Sequence, residues 1–333
     1  MKLKDIGEFG FIERIRPDCI IRPEHIVKAI GDDAAVFKTE SDRLMLLTTD
    51  MLLERVHFIR KATSPFNLGR KCMAVNLSDI AAMGGNASDA FVNIAVPDTV
   101  DLDFLEEVYR GIKHSAAEFE INILGGDTTG SRKDLVINVA VIGYVAADEV
   151  LLRSGAKIAD VVFSTGYLGN SRAGLHVLQN ASERDGFEEL VQAHCLPRPH
   201  LNEGRFLATQ PQVHAAIDVS DGLSSDLGHI IRESAVGARI YADRLPISDH
   251  LKTFCSRFGY DPIQYALAGG EDYTLLCTVD PRHAEAIAAD FRQQFDRPLF
   301  ALGEITDSGR IEWVDAAGGI HPIESTGWNH FRA

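Results

Sequence analysis

The sequence predicts an α/β chain folded as two domains, and three observations carry that expectation. Its 333 residues, 45% of them hydrophobic, supply a sizeable core and exceed what a single core usually organises. Strand-like apolar runs and helix-spaced segments alternate along most of the chain, as in mixed α/β architectures. A turn-rich stretch from Ala146 to Lys157 splits this alternation in two. The boundary is set so that residues 1–146 form one domain and 147–333 the other.

Met1 to Arg16 reads as an amphipathic helix, and Pro17 and Pro23 make the next connection a loop. Leu44 to Thr49 is an apolar run of strand length. Asn67 to Met83 sets Leu68, Cys72, Val75, Ile80 and Met83 at helical spacing, and Gly84 and Gly85 stop it where a C-terminal cap belongs. Ala90 to Val96 reads as a strand, Asp101 to Phe119 as a helix opened by an aspartate, and Ile121 to Leu124 as a strand. Leu135 to Val145 has Asn138 as its one polar side chain. Such a run suits a strand covered on both faces, by helices or by a partner subunit's sheet. The second half repeats strand and helix patterns at 161–164, 173–178, 213–217, 223–232, 238–241, 273–279, 283–294 and 299–305. Neither half shows low complexity or a short-period repeat.

With 33 Lys and Arg against 48 Asp and Glu, the formal charge is −15, so the field repels nucleic-acid backbones and anionic lipid. An anionic small substrate requires metal cations or local bases that reverse the sign at its site. Five widely spaced cysteines, Cys19, Cys72, Cys195, Cys255 and Cys277, lack the C-x-x-C spacing of zinc or redox sites and suit reduced thiols in the cytoplasm. No run of about 18 apolar residues marks a membrane span, and no apolar stretch behind Met1 marks export.

The chemistry is concentrated in aspartates next to glycine or hydroxyl residues where strands and helices end: Asp32, Asp33, Asp50, Asp79, Asp127, Asp218 and Asp221. Each alone reads as a helix cap or turn former, Asp221 above all, ahead of the helix from Leu223. Together they say more. Asp50 and Asp127 follow apolar strands, and Asp79 sits in an Ala- and Met-rich helical stretch that otherwise favours burial, where a carboxylate needs a cation or hydrogen bonds. Grouped carboxylates repel one another unless a hard divalent ion lies among them, and magnesium takes one or two carboxylates per ion, completed by waters and phosphate oxygens. Thr48 and Thr49 add oxygens beside Asp50. Several such ions facing a nucleotide would form a phosphoryl-transfer site. No G-x-x-x-x-G-K-[ST] loop, H-R-D, D-F-G, H-E-x-x-H or G-x-S-x-G motif occurs, which removes the commonest ATP-site, zinc-hydrolase and serine-hydrolase motifs.

Eight segments in order carry a resemblance. Gly31-Asp-Asp-Ala-Ala-Val36, Thr48-Thr-Asp-Met-Leu52, Asn76-Leu-Ser-Asp-Ile-Ala-Ala-Met-Gly84, Gly125-Gly-Asp-Thr128, Arg153-Ser-Gly-Ala-Lys157, Asp218-Val-Ser-Asp-Gly-Leu223, Gly269-Gly-Glu-Asp-Tyr273 and Gly327-Trp-Asn-His-Phe331 resemble the ordered motifs of the thiamine-monophosphate kinase family. The match runs from Gly31 to Phe331. It implies a PurM-like fold of the aminoimidazole-ribonucleotide-synthetase-like superfamily, an N-terminal sheet pairing with its twin in a homodimer, and a C-terminal α/β domain.

The same resemblance implies transfer of the ATP γ-phosphoryl group to thiamine monophosphate. Asp33, Thr48, Thr49, Asp50, Asp79, Asp127, Asp218 and Asp221 would hold several Mg2+ ions, with Asp50, Asp127 and Asp218 at the chemistry. Gly126, Asp127, Arg153, Ser220 and Tyr109 would face ATP, the co-substrate. His57, Glu271 and Trp328 would face the thiamine moiety, where an indole face and a carboxylate suit a thiazolium cation. Asp32 is read as shaping its turn, and Asn329 stands where many relatives carry an acid. Outside that context Arg153 reads as a solvated loop charge, His57 as a structural histidine and Trp328 as a core-capping aromatic. Rival readings are another ATP-using member of the superfamily and a non-catalytic nucleotide-binding regulator. Selenophosphate synthetase would show a reactive Cys or selenocysteine with a Lys in an N-terminal glycine-rich loop, which this chain lacks.

Overall fold

A computed structural model describes residues 3–17, 19–20, 22–180, 185–315 and 317–323. The first sheet is built from β1 (Ile26–Lys28), β2 (Ala35–Lys38), β3 (Arg43–Leu53), β4 (Asn86–Pro97), β5 (Asn122–Gly125), β6 (Thr128–Ser131) and β7 (Val136–Ala146). They lie in the order β1-β2-β3-β7-β4-β5, with β6 also paired to β4. β3 and β7 run antiparallel in unbroken register from Arg43↔Ala146 to Leu53↔Val136. Strict alternation along β7 sends Ile137, Val139, Val141 and Val145 into the core.

Three helices belong to this half: α1 (Leu3–Ile15), α2 (Pro65–Ala82) and α3 (Leu102–Glu118). Ser64 caps α2, its hydroxyl accepting the Asn67 N–H, with Pro65 at the first turn. α2 crosses α3 at very short range: a Cβ on Gly69 would stand 2.0 Å from the Val108 carbonyl oxygen, and one on Gly111 2.0 Å from that of Phe66. Two facing glycines let the backbones touch.

The second sheet has the order β14-β13-β10-β12-β8-β11-β9, from β8 (Val161–Ser164), β9 (Val213–Asp218), β10 (Gly237–Tyr241), β11 (Leu275–Val279), β12 (Phe300–Thr306), β13 (Ile311–Val314) and β14 (Ile320–Pro322). Around it pack α4 (Asn170–Gln179), α5 (Glu188–Cys195), α6 (Leu201–Ala208), α7 (Leu223–Ser234), α8 (Asp249–Phe258), α9 (Pro262–Ala268) and α10 (Ala284–Phe295). α2 reaches across to touch α6 and β9 as well as β3 and β7. Almost no face of α2 is left to solvent, which explains why its sequence lacks a polar stripe.

Four expectations change. The helix at the N-terminus is broken at Gly7, whose backbone is non-helical at φ 69° and ψ −176°. The strand expected to end at Thr49 continues to Leu53, because β7 pairs with it throughout, so Asp50 lies within a strand and not after one. The second face of β7 is only half-buried in the single chain, and neighbouring strands expose Met51, Phe91 and Leu47 there. Asp221 makes no cap bond to α7; instead Asp226, inside the helix, accepts the backbone N–H groups of Asp221 and Gly222 at 3.1 and 2.9 Å. No described helix is long and apolar enough to cross a membrane.

Candidate active site

A cavity of about 1320 Å³ opens between the two sheets, lined from the first half by Asp33, Thr48, Thr49, Asp50, His57 and Asp79, and from the second by Arg153, Asp218, Ser220, Asp221 and Glu271. Strand alternation divides neighbouring hydroxyls on β3. The Thr48 hydroxyl points at α2 and donates to the Asp79 carboxylate. Thr49 points the other way, donating to the Val139 carbonyl at 3.2 Å and accepting from Asn138 Nδ2 at 2.9 Å. The Asp50 backbone N–H is held by Asn76 Oδ1, 3.0 Å away on α2. β9 ends at Asp218, whose carboxylate accepts from Ser78 Oγ at 2.7 Å.

Asp33, Asp79 and Asp218 each bring a carboxylate oxygen within 4.8 Å of the others. Burial pushes the Asp218 carboxyl up to about 8, with the Asp33 charge adding to it. Asp50 rises to about 6 for the same main reason, although a hydrogen bond with Asp79 works against the shift. Asp79 is driven well above its usual range by burial and by the charges of Asp50, Asp218 and Asp33. Burial raises Asp221 to about 7, Glu8 adding to it.

One cation partly offsets this charge: Arg153 Nη2 lies 2.7 Å from Asp33 Oδ1. Asp32 accepts the Arg153 backbone N–H at 3.2 Å and pairs with Lys28 at 3.2 Å. It therefore anchors the segment entering the second half as well as shaping its own turn. The other oxygen of Asp33 is buried without a partner among the described residues. A converging, oxygen-only donor set with an unmatched buried carboxylate oxygen fits a hard divalent cation such as magnesium.

At the other side of the cavity, Lys71 Nζ is 3.2 Å from the Glu271 carboxylate, and His194 Nδ1 is also 3.2 Å from it. Glu271 and Tyr273 hold left-handed backbones, φ 60° and 51°, an uncommon conformation for non-glycine residues that clusters at functional sites. Asp272 between them accepts the N–H groups of Gly169 and Ser171 at 2.6 and 3.1 Å, fixing the start of α4 against the cavity. The sequence reading missed Lys71, Ser78, His194 and Asp226. For Lys71 a signal existed: a lysine inside a helical run with no polar face has nowhere to send its charge except a buried partner.

Three expected residues lie outside this lining. Asp127 is exposed beside β6, three strand spacings or about 14 Å from Asp50 across β7 and β4. Gly126 has φ 150°, and a Cβ there would stand 1.7 Å from the Val92 carbonyl oxygen, so the turn itself requires glycine. Tyr109 packs from α3 against the first core, and burial raises its phenol. Trp328 and Asn329 fall outside the described residues.

Two stacked α/β halves with a carboxylate-lined cavity between them define an enzyme class, and family models place the chain in it. Residues 31–145 match the AIR synthase related protein, N-terminal domain, and residues 160–315 the AIR synthase related protein, C-terminal domain, the PurM-like two-domain fold. Within that class, the thiamine-monophosphate kinase of Aquifex aeolicus (strain VF5) is 35% identical, the alignment covering 99% of this chain and 100% of that one. The thiamine-monophosphate kinase of Bacillus subtilis (strain 168) is also 35% identical, over 98% of this chain and 100% of its own. A solved structure, AaThiL complexed with AMPPCP and TMP, aligns with a TM-score of 0.86 at 31% identity and covers 99% of each chain. The chain belongs to the thiamine-monophosphate kinase family, a family of enzymes.

Proposed function

We propose that this chain transfers the γ-phosphoryl group of ATP directly, in line, to the phosphate of thiamine monophosphate, giving thiamine diphosphate and ADP in the cytoplasm. The observation that carries the reading is the convergence of Asp33, Asp79 and Asp218 in one cavity fed by both sheets, in a chain whose full-length relatives are thiamine-monophosphate kinases. The acceptor is already a phosphate oxyanion, so no strong general base is needed. Positioning and charge neutralisation do most of the work.

Asp33, Thr48, Thr49, Asp50, Asp79, Asp218 and Asp221 would hold magnesium in this reading. Bound there, magnesium neutralises the charge that donor and acceptor phosphates share. Asp50 and Asp218 stand at the chemistry from opposite sheets. Arg153, fixed by Asp33 and Asp32, keeps its guanidinium edge toward the nucleotide phosphates, with Ser220 beside it. His57 and Glu271 face the thiamine moiety; Leu53 N–H donates to His57 Nδ1 at 3.0 Å, which leaves the ring proton of the neutral imidazole on Nε2.

Asp127, Gly126 and Tyr109 keep a nucleotide-facing role, and Asp127 a magnesium-binding and catalytic one, through a homodimer formed across the open face of the first sheet, where Leu47, Met51, Phe91 and Leu124 are exposed. The second copy supplies these groups. The domain division at residues 146 and 147 belongs to the same reading: the two sheets draw on residues 26–146 and 161–322. An ADP-release assay with thiamine monophosphate, thiamine, aminoimidazole precursors and selenide as parallel acceptors tests it. ADP release with thiamine monophosphate alone is expected; release with none of them would sink the kinase reading.

A further inference from the structure

Lys71 is the largest fully buried side chain among the described residues, 1% exposed in the middle of the molecule. Its ammonium lies 3.2 Å from each oxygen of the Glu271 carboxylate and 3.3 Å from the backbone carbonyl of His57. Two of its N–H donors bond Glu271 Oε2 and the His57 carbonyl, while Oε1 stands at ion-pair distance. The lysine thus joins two residues, one from each half of the chain, that face the thiamine moiety in the proposed reading.

Glu271 is held from the other side as well. His194 Nδ1 sits 3.2 Å from Oε2 and 3.0 Å from the Ser171 hydroxyl. Burial, helped by the Lys71 charge, lowers His194 to about 4, so its ring is neutral. A carboxylate offers about four lone-pair sites. Lys71 donates to Oε2, beside which His194 stands, and Oε1 accepts no hydrogen bond among the described residues. The buried ammonium also balances the carboxylate charge. Glu271 is therefore less a counter-ion for a cationic ring than an aimed hydrogen-bond acceptor through Oε1. Its backbone supports the aim: the left-handed turn at φ 60° is locked by the Glu271 N–H bonding to the Ser220 carbonyl at 2.7 Å.

We propose that Lys71 is a positioning residue for substrate selection, holding Glu271 by Oε2 so that Oε1 accepts a hydrogen bond from the exocyclic amino group of the aminopyrimidine. The proposal rests on the reading that the cavity takes thiamine monophosphate. It assigns selectivity for the amino group to a residue that touches no substrate.

Calorimetric binding tests it with three probes: thiamine monophosphate, the analogue with an oxo group in place of the pyrimidine amino group, and a non-hydrolysable ATP analogue. Wild type prefers the amino form by about tenfold or more, the range of a hydrogen bond to a charged acceptor. Lys71→Met and Glu271→Gln each bring that preference to within about twofold, and the double variant is no lower than either single one. Affinity for the ATP analogue stays within about twofold throughout. Lys71→Gln serves if the methionine variant does not fold; its amide, one bond shorter, no longer reaches both oxygens, and the same fall in preference is expected. Retention of the wild-type preference in the Lys71 variants overturns the proposal, as does a parallel loss of nucleotide affinity, the mark of a merely structural lysine. Wild type that binds neither thiamine phosphate overturns the kinase reading first, and this proposal with it.

Discussion

Ser78 on α2 donates a 2.7 Å hydrogen bond to the Asp218 carboxylate at the end of β9, tying the two halves of the chain together inside the carboxylate cluster. Ser78 is fully buried, and Ser78→Ala removes its hydrogen-bond donor from the Asp218 carboxylate. Loss of about 1–3 kcal/mol of stability is expected, because a buried carboxylate loses a partner. Urea denaturation of the two proteins measures it, and an unchanged midpoint would mean the bond does not hold the halves.

Asp79→Asn separates stability from function. Three converging carboxylates with partly matched charge strain the metal-free protein, and an amide still accepts from Thr48. Metal-free Asp79→Asn should therefore be more stable than wild type by about 1–3 kcal/mol. It should also lose turnover and most of the rise in melting temperature that magnesium gives wild type. Thermal melts with and without magnesium check both halves of the expectation; a variant that keeps the wild-type magnesium shift would remove Asp79 from the ligand set.

Asp127 tests the dimer. Asp127→Asn and Asp218→Asn should each abolish turnover while remaining folded. Equal mixing after subunit exchange should restore up to about a quarter of wild-type activity, because mixed dimers hold one site intact when each site draws Asp127 from one copy and Asp218 from the other. No recovery in a mixture shown to exchange subunits would place both residues in the same copy's site.

His200 gives a pH signature of its own. Burial lowers its pKa to about 4 from an ordinary 6.5, and Thr165 Oγ1 holds its Nδ1 at 2.6 Å. Between those values the unfolded chain binds a proton that the native one does not. The contribution is complete above pH 6.5 and declines as pH falls toward 4. The stability of wild type relative to His200→Gln should accordingly rise by roughly 3 kcal/mol from pH 4 to 6.5 and level off above. Denaturant titrations at four pH values measure the slope; a flat difference would mean that the histidine is charged in the native state.

Much of this architecture was legible because periodicity reports burial directly. β7 and α3 fall within one residue of the runs read from sequence, since each buries one face. The extent of β3 was not legible: Asp50, a poor strand residue, is held in the ladder by β7 and by Asn76. The aspartates that line the cavity were visible as residues at element ends. Their partners were not, because Ser78, Lys71 and His194 are joined to the site by contacts 140, 200 and 77 residues away in sequence. Asp127 marks a different limit. Its motif was plain, but its distance from Asp50 depends on strand order, which no local pattern encodes.

α2 lies against two cores and has almost no surface of its own. A surface helix can accept many exchanges on its wet side, but here a change of volume at nearly any position from Leu68 to Ala82 disturbs packing in one half or the other. Sequence drift between related chains should be slowest along this segment, in residues that never meet a substrate as well as in those that do.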